Sequence, residues 1–187
     1  MTKKWTIILF IIFIIILTIW AYNNTNQKLL IKNVKINAPS SIGFNMSSTI
    51  FNYKGLSKYT ISSPKVQSFK KNNITIFQNP IIFSYSLINN KWDKTWKINS
   101  DIATYTKDIS TISLYNNILM SSLNPSFIVQ SIKTNQLNLN TKTNIVENTN
   151  TLTQIKGTKF ISTGNNVIGY INQKNIYLTG SAKSVYK

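Results

Sequence analysis

The sequence contains no cysteine, no histidine and no arginine, and its only acidic residues are Asp93, Asp101, Asp108 and Glu147. Each absence removes a class of chemistry. Without cysteine there is no disulfide and no thiolate nucleophile. Without histidine a serine triad lacks its base, and with no cysteine either, zinc lacks its usual ligands. Four dispersed carboxylates do not form the clusters that hold calcium. With only 6 glycines there is no glycine-rich phosphate loop. Asp93 falls in a turn between Trp92 and Trp96, and Asp108 follows Thr106-Lys107 at another turn, so the acids read as turn caps rather than a general acid–base pair. Ser–Lys chemistry is formally open, but no one pair stands out. The expectation is a protein without catalytic residues, cofactor or metal.

What is abundant is lysine, asparagine and isoleucine, all with AT-rich codons. The formal net charge is +17. Such a balance suits an anionic partner, whether nucleic acid, phosphate-bearing lipid or an anionic bilayer. It equally suits codon drift onto a solvated surface. No lysine run is longer than Lys70-Lys71, and no stacking rings surround one, so nucleic acid is not the expected partner.

The first long run, Trp5 to Trp20, is uncharged and almost wholly apolar. As a helix it spans roughly 22 Å, or about 3 Å more if extended to Tyr22, against a hydrocarbon slab of ~30 Å. Rings at its two ends, Trp5 and Trp20, suit the two interfaces, and Lys3 and Lys4 keep the N-terminus cytoplasmic. A cleaved signal peptide would need small residues where Trp20 and Tyr22 stand. The expected organisation is a cytoplasmic tail over 1–4, a transmembrane anchor over 5–22, a polar tether over 23–48 and an exported domain over 49–187. Nucleic acid is scarce across the membrane, which further demotes it.

From Thr49 onward, short alternating runs are separated by turn residues, and β-branched and aromatic residues dominate. Ile81, Phe83, Tyr85 and Leu87 share one face, with Ser84 and Ser86 opposite. Four segments share an Ile followed five residues later by an apolar side chain: Ile61 to Val66, Ile98 to Ala103, Ile132 to Leu137 and Ile171 to Ile176. Their starts recur at steps of 37, 34 and 39 residues. That period suits a strand–turn–strand unit that must stack on its neighbours. The reading is an all-β, elongated, open two-walled roll of stacked antiparallel strands with unpaired first and last edges.

The order and spacing of Gly55-Leu-Ser-Lys-Tyr59, Ile76-Phe-Gln-Asn-Pro80-Ile-Ile-Phe83, Trp96-Lys-Ile-Asn-Ser100-Asp-Ile-Ala103, Ile112-Ser-Leu114, Ile132 to Leu139 and Lys156-Gly157-Thr-Lys-Phe160 resemble the LptC family of lipopolysaccharide export proteins. The resemblance extends through Gly169 to Tyr186 and to the N-terminal anchor. It implies a non-catalytic periplasmic β-jellyroll held in the inner membrane. Such a protein takes lipopolysaccharide from an ABC transporter (LptB with LptF and LptG) and passes it to LptA. The chain departs from the family in lacking arginines, in a longer stretch from Asn89 to Thr95, and in ending one residue after Tyr186.

Alternation together with the resemblance points to Phe77, Ile81, Phe83, Tyr85, Ile98, Ile112, Leu114 and Ile176 as inward, lipid-facing positions. Phe77 and Ile176 rest on matching family positions. Each is equally readable as closed core. Strand addition to LptF is expected near Thr49, Phe51 and Tyr53, and to LptA at the C-terminal edge, with Gly157, Gly169 and Tyr186 as edge residues. Two other functions are compatible with the residues: a solid tether that bridges partners without lipid, and a basic protein held on an anionic leaflet.

Overall fold

The computed structural model describes residues 38–88, 91–171 and 175–186. The anchor expected over 5–22, with Lys3, Lys4, Trp5 and Trp20, lies outside them. From Pro39 the chain forms one compact unit. It is built of β1 (Ser41–Phe51), β2 (Ser57–Phe69), β3 (Ile74–Gln78), β4 (Ile81–Ile88), β5 (Lys91–Asn99), β6 (Ile102–Thr106) and β7 (Thr111–Ser122). There follow β8 (Val129–Asn140), β9 (Ile145–Asn148), β10 (Thr153–Gly157), β11 (Phe160–Gly164), β12 (Asn166–Tyr170), β13 (Asn175–Thr179) and β14 (Lys183–Tyr186). One 3₁₀ turn, Lys70–Asn72, joins β2 to β3. Every strand pairing is antiparallel, as expected for a roll of hairpins.

The pairing divides the sheet into two walls. The first half of β2 pairs with β4 and its second half with β3. Likewise the first half of β7 pairs with β6 and its second half with β5, and β8 meets β10 with its first half and β9 with its second. These three long strands therefore belong to both walls and bend where they pass from one to the other. β4, β5, β10, β11 and β14 complete the first wall; β3, β6, β9, β12 and β13 complete the second.

The repeated segments mark that bend. Ile61, Ile98 and Ile132 lie in the first wall, and Val66, Ala103 and Leu137 in the second. Between them stands a buried hydroxyl that donates to the carbonyl two residues on. Ser63 Oγ reaches Lys65 O at 2.8 Å, Ser100 Oγ reaches Ile102 O at 3.0 Å, and Thr134 Oγ1 reaches Gln136 O at 3.3 Å. A strand that bends leaves a carbonyl without its ladder partner, and a short hydroxyl supplies one. The five-residue step shifts the alternation by one, which keeps the apolar side chain inside after the corner. Ile171 and Ile176 do not repeat this geometry, because Ile176 faces Gly169 in a different row.

β7 turns the same corner with an extra residue, at Asn116 and Asn117, both with positive φ. Of the nine non-glycine residues with positive φ among those described, seven are asparagine. Asparagine tolerates the left-handed region better than other non-glycine residues. Its abundance therefore does structural work in a chain so poor in glycine.

β1 begins at Ser41, inside the stretch expected to be tether, and pairs along β2 from Ser41↔Ser68 to Phe51↔Ser57. Eight of its eleven residues are exposed, and the apolar ones that alternate, Ile42, Phe44 and Met46, are among them, so the strand buries no face of its own in the core. β2 provides the ladder that orders it.

Candidate functional site

The interior between the walls is the feature on which any lipid reading depends. Register places Ile61, Ile82, Ile98, Met120, Ile132 and Ile155 side by side across the first wall. Val66, Phe77, Ala103, Leu114 and Leu137 form the matching row of the second. A third row, farther from the corner, runs Tyr105, Ile112, Leu139, Val146, Gly169 and Ile176. Members of all three rows pack into one hydrophobic cluster. Each fully buried Ile, Leu or Phe contributes about 1.5–3 kcal/mol. The rows are thus both the main stabilising element and a continuous apolar lining.

Of the eight residues expected to face inward, Phe77, Ile98, Ile112 and Leu114 are buried in this cluster, and Ile176 packs against it partly buried. Ile81, Phe83 and Tyr85 do not point inward. Ile82 and Ser84 are the buried residues of β4, whereas Ile81 is 38 % exposed. The more apolar face of this strand is the outer one. Ser84 is tolerated inside because its hydroxyl pairs with that of Thr95 at 3.0 Å, where β5 carries an extra residue. Outside, Phe83 lies beneath Lys94 Nζ, 4.3 Å from the ring centre, and Tyr85 Oη accepts from Thr60 Oγ1 at 3.3 Å. Sequence reasoning missed Ile61, Ile82, Ile132, Leu137, Leu139 and Val146 as lining residues. The five-residue repeat already contained three of them.

Besides Ser84 and Thr95, a polar cluster interrupts the lining around Asn148. Asn148 stands opposite Val167 at the end of β9 and is 4 % exposed. Its Nδ2 lies 3.0 Å from Thr134 Oγ1, 3.2 Å from Gln136 O and 2.7 Å from Thr153 Oγ1. Its Oδ1 accepts from Val167 N at 2.9 Å. Thr153 and Thr134 also bond to each other at 3.1 Å. This knot fastens the corner of β8 to the chain passing from β9 to β10 and to β12.

Opposite the corner, the rims of the two walls meet at a seam. Tyr59 Oη donates to Asn144 Oδ1 at 2.8 Å, and Lys58 Nζ donates to Lys142 O at 3.2 Å. Burial pushes the Tyr59 phenol well above the ordinary tyrosine range, so it remains a neutral donor. Burial lowers the Lys58 pKa. A cleft of about 350 Å³ opens here, lined by Ile50, Phe51, Asn52, Tyr53, Lys58, Tyr105, Ser110, Thr141 and Lys142.

The expected edge residues divide into two groups. Thr49 and Phe51 lie on β1, whose one partner among the described strands is β2, and Tyr53 follows it, 93 % exposed. Tyr186 lies on β14, whose partner is β11, with its ring 6.4 Å from that of Phe160. Gly157 and Gly169 are not at an edge. Gly157 sits in β10 at a bulge opposite Val129, where a Cβ would meet the Phe160 ring at 2.1 Å. Gly169 sits between β9 and β13, where a Cβ would meet Val146 Cγ2 at 2.7 Å. Both serve close approach within the sheet. Asp101 and Asp108 sit beside turns, where Asn117 Nδ2 donates to Asp101 at 2.8 Å and Asn73 Nδ2 to Asp108 at 3.0 Å. Asp93 is not in the turn expected between Trp92 and Trp96: it lies within β5, paired with Ser86, because that stretch extends the hairpin with β4, and Glu147 lies within β9.

Comparison with known proteins agrees with this architecture. Residues 7–187 match the family described as lipopolysaccharide-assembly, LptC-related. The chain is 26 % identical to the lipopolysaccharide export system protein LptC of Haemophilus influenzae, with 100 % of this chain and 96 % of that protein covered. Its fold is similar to that of LptH of Pseudomonas aeruginosa, the LptA-homologous periplasmic component of a lipopolysaccharide transport device. The TM-score is 0.53 at 6 % identity, over 69 % of this chain and 94 % of the other.

Proposed function

The chain belongs to the LptC-related lipopolysaccharide-assembly family, and from that premise we propose that it is a non-catalytic carrier in lipopolysaccharide transport. It is tethered to the inner membrane through residues 5–22, with its roll in the periplasm. It receives lipopolysaccharide from the LptB, LptF and LptG transporter and passes it to LptA. The observation that carries this reading is the set of apolar rows running across the stacked strands from β2 toward β12 and β13. An acyl chain in water costs about 0.8 kcal/mol per exposed methylene, and such a lining can shield it while sugars stay outside. The strands β1, β13 and β14, each paired on one side only among the described strands, offer backbone groups for strand addition. LptF adds at β1 and LptA at the C-terminal edge, giving one continuous lining.

One observation favours a second reading, a solid tether. Ile82, Ile98, Ile112, Leu114 and Leu137 are all 0 % exposed, so the interior is filled by its own side chains. For the carrier, the walls part at the seam and acyl chains replace contacts between the rows. Equilibrium binding of lipid A to the full chain in phosphatidylcholine nanodiscs separates the two. The carrier is expected to bind saturably in the micromolar range or tighter, with the acyl-dependent part persisting at high salt. A tether binds none, and purely electrostatic attachment disappears with salt.

A further inference from the structure

The cleft at the seam combines three properties. It is cationic, with Lys58 on the rim of one wall, Lys142 on the rim of the other, and no carboxylate among its lining residues. It has hydroxyls, from Ser110, Thr141 and Tyr105. Its floor is apolar and leads inward, because Ile50 and Tyr105 both pack against the interior cluster.

Lys58 is poorly provided for. Its ammonium has three donors, and its hydrogen bond runs to a neutral carbonyl, that of Lys142, at 3.2 Å. Burial disfavours its charge, as the lowered pKa reflects. Asp108, two residues before Ser110 in the chain, already accepts from Asn73 Nδ2. Thr141 Oγ1 donates to Ser110 O at 2.8 Å, which holds the opposite rim in place. An anion entering the cleft would find two lysines on facing rims, and charge-assisted hydrogen bonds are roughly twice as strong as neutral ones.

We propose that this cleft is a headgroup site: Lys58 and Lys142 clamp a phosphate of an acylated lipid while its chains pass between Ile50 and Tyr105 into the roll. The inference rests on the carrier reading and adds where the headgroup is held. A phosphate monoester carries nearly two negative charges at neutral pH, which matches two cationic rims. The apolar floor selects a lipid-borne phosphate over free phosphate. Binding there also takes Lys58 away from the Lys142 carbonyl, so occupancy and opening of the seam are coupled.

The test is equilibrium binding to the full chain in phosphatidylcholine nanodiscs, comparing native protein with the Lys58→Gln/Lys142→Gln double variant. A glutamine at 58 retains a donor for the Lys142 carbonyl, so the seam contact survives, and thermal melting of both proteins checks the fold. The probes are bisphosphorylated lipid A, the same lipid with both phosphates removed, and inorganic phosphate as competitor. The double variant is expected to bind the phosphorylated lipid about tenfold more weakly, from the loss of one to two charge-assisted bonds. The dephosphorylated lipid is expected to bind both proteins alike, and millimolar phosphate to displace little. Equal affinity of native and variant for the phosphorylated lipid overturns the headgroup site while leaving the carrier intact. Efficient displacement by inorganic phosphate overturns the lipid assignment in favour of a soluble anion. Absence of binding to either lipid overturns the carrier reading itself.

Discussion

Replacing Asn148 with alanine is expected to lower the unfolding free energy of the roll by about 3 kcal/mol, a large effect for a single polar residue. The side chain is buried and has polar neighbours on three sides. Removing it orphans the Val167 amide, which costs about 1–3 kcal/mol when left buried without a partner; the Gln136 carbonyl keeps its bond from Thr134 Oγ1 at 3.3 Å. The two threonines keep their mutual bond at 3.1 Å, which limits the damage on that side. A small cavity adds to the loss. Asn148→Asp is expected to be no better. It supplies no amide donor, and it sets a carboxylate beside the Gln136 carbonyl, now 3.2 Å from Nδ2. Urea denaturation followed by tryptophan fluorescence measures the effect. A loss below about 1 kcal/mol would mean that water or rearrangement satisfies the knot.

The second large effect distinguishes two neighbours of identical chemistry. Ile82→Ala is expected to cost about 4 kcal/mol, and Ile81→Ala less than about 1. Ile82 stands between Ile61 and Ile98 and is 0 % exposed, so truncation leaves a cavity in the middle of the first row. Ile81 is on the outer face, 38 % exposed, and its removal mostly uncovers surface already wet. The same denaturation experiment decides. Comparable losses at both positions would mean that β4 does not hold one fixed face inward.

That pair also illustrates what could be read from the chain and what could not. Alternation revealed a strand at β4, but not which face was inside, because Ile81, Phe83, Tyr85 and Leu87 outweigh Ser84 and Ser86 in apolar area. What reverses that preference is non-local: Ile61 and Ile98 flank Ile82 only once three strands are in register, and Thr95 satisfies Ser84 only because β5 bulges there. The five-residue repeat was legible and correct in three of four instances, since each corner imposes the same local demand for a hydroxyl and a shift of phase. Its fourth instance matched by composition alone. Asn148 was invisible among many asparagines, because its role depends on Thr134, Thr153 and Val167 converging from other strands. β1 alternates at Ile42, Phe44 and Met46, but that face is exposed, and the strand takes its place from the ladder of β2.

The same physical facts link stability to transport. In the proposed carrier the residues that fill the interior are also those that meet the acyl chains, so that reading requires side chains that can exchange one apolar neighbour for another. Rows of Ile, Leu and Met allow this, since their contacts are non-directional. The polar devices (the corner hydroxyls and the Asn148 knot) lie at the hinge side and in the second wall. The seam, by contrast, is bridged by the Tyr59 and Lys58 contacts. The roll is therefore fastened at its spine and lightly closed at its mouth.

The most direct measurement is a photo-crosslinking scan in inner-membrane vesicles actively exporting lipopolysaccharide, with benzoylphenylalanine at Phe77 and Leu114 inside and at Lys133 and Gln154 outside. Phe77 and Leu114 are buried in one row on either side of Ala103, whereas Lys133 and Gln154 are exposed. The account predicts energy-dependent capture of lipopolysaccharide at the two inner positions and none at the outer two. Equal capture at all four, or capture outside alone, would contradict a lipid path through the roll.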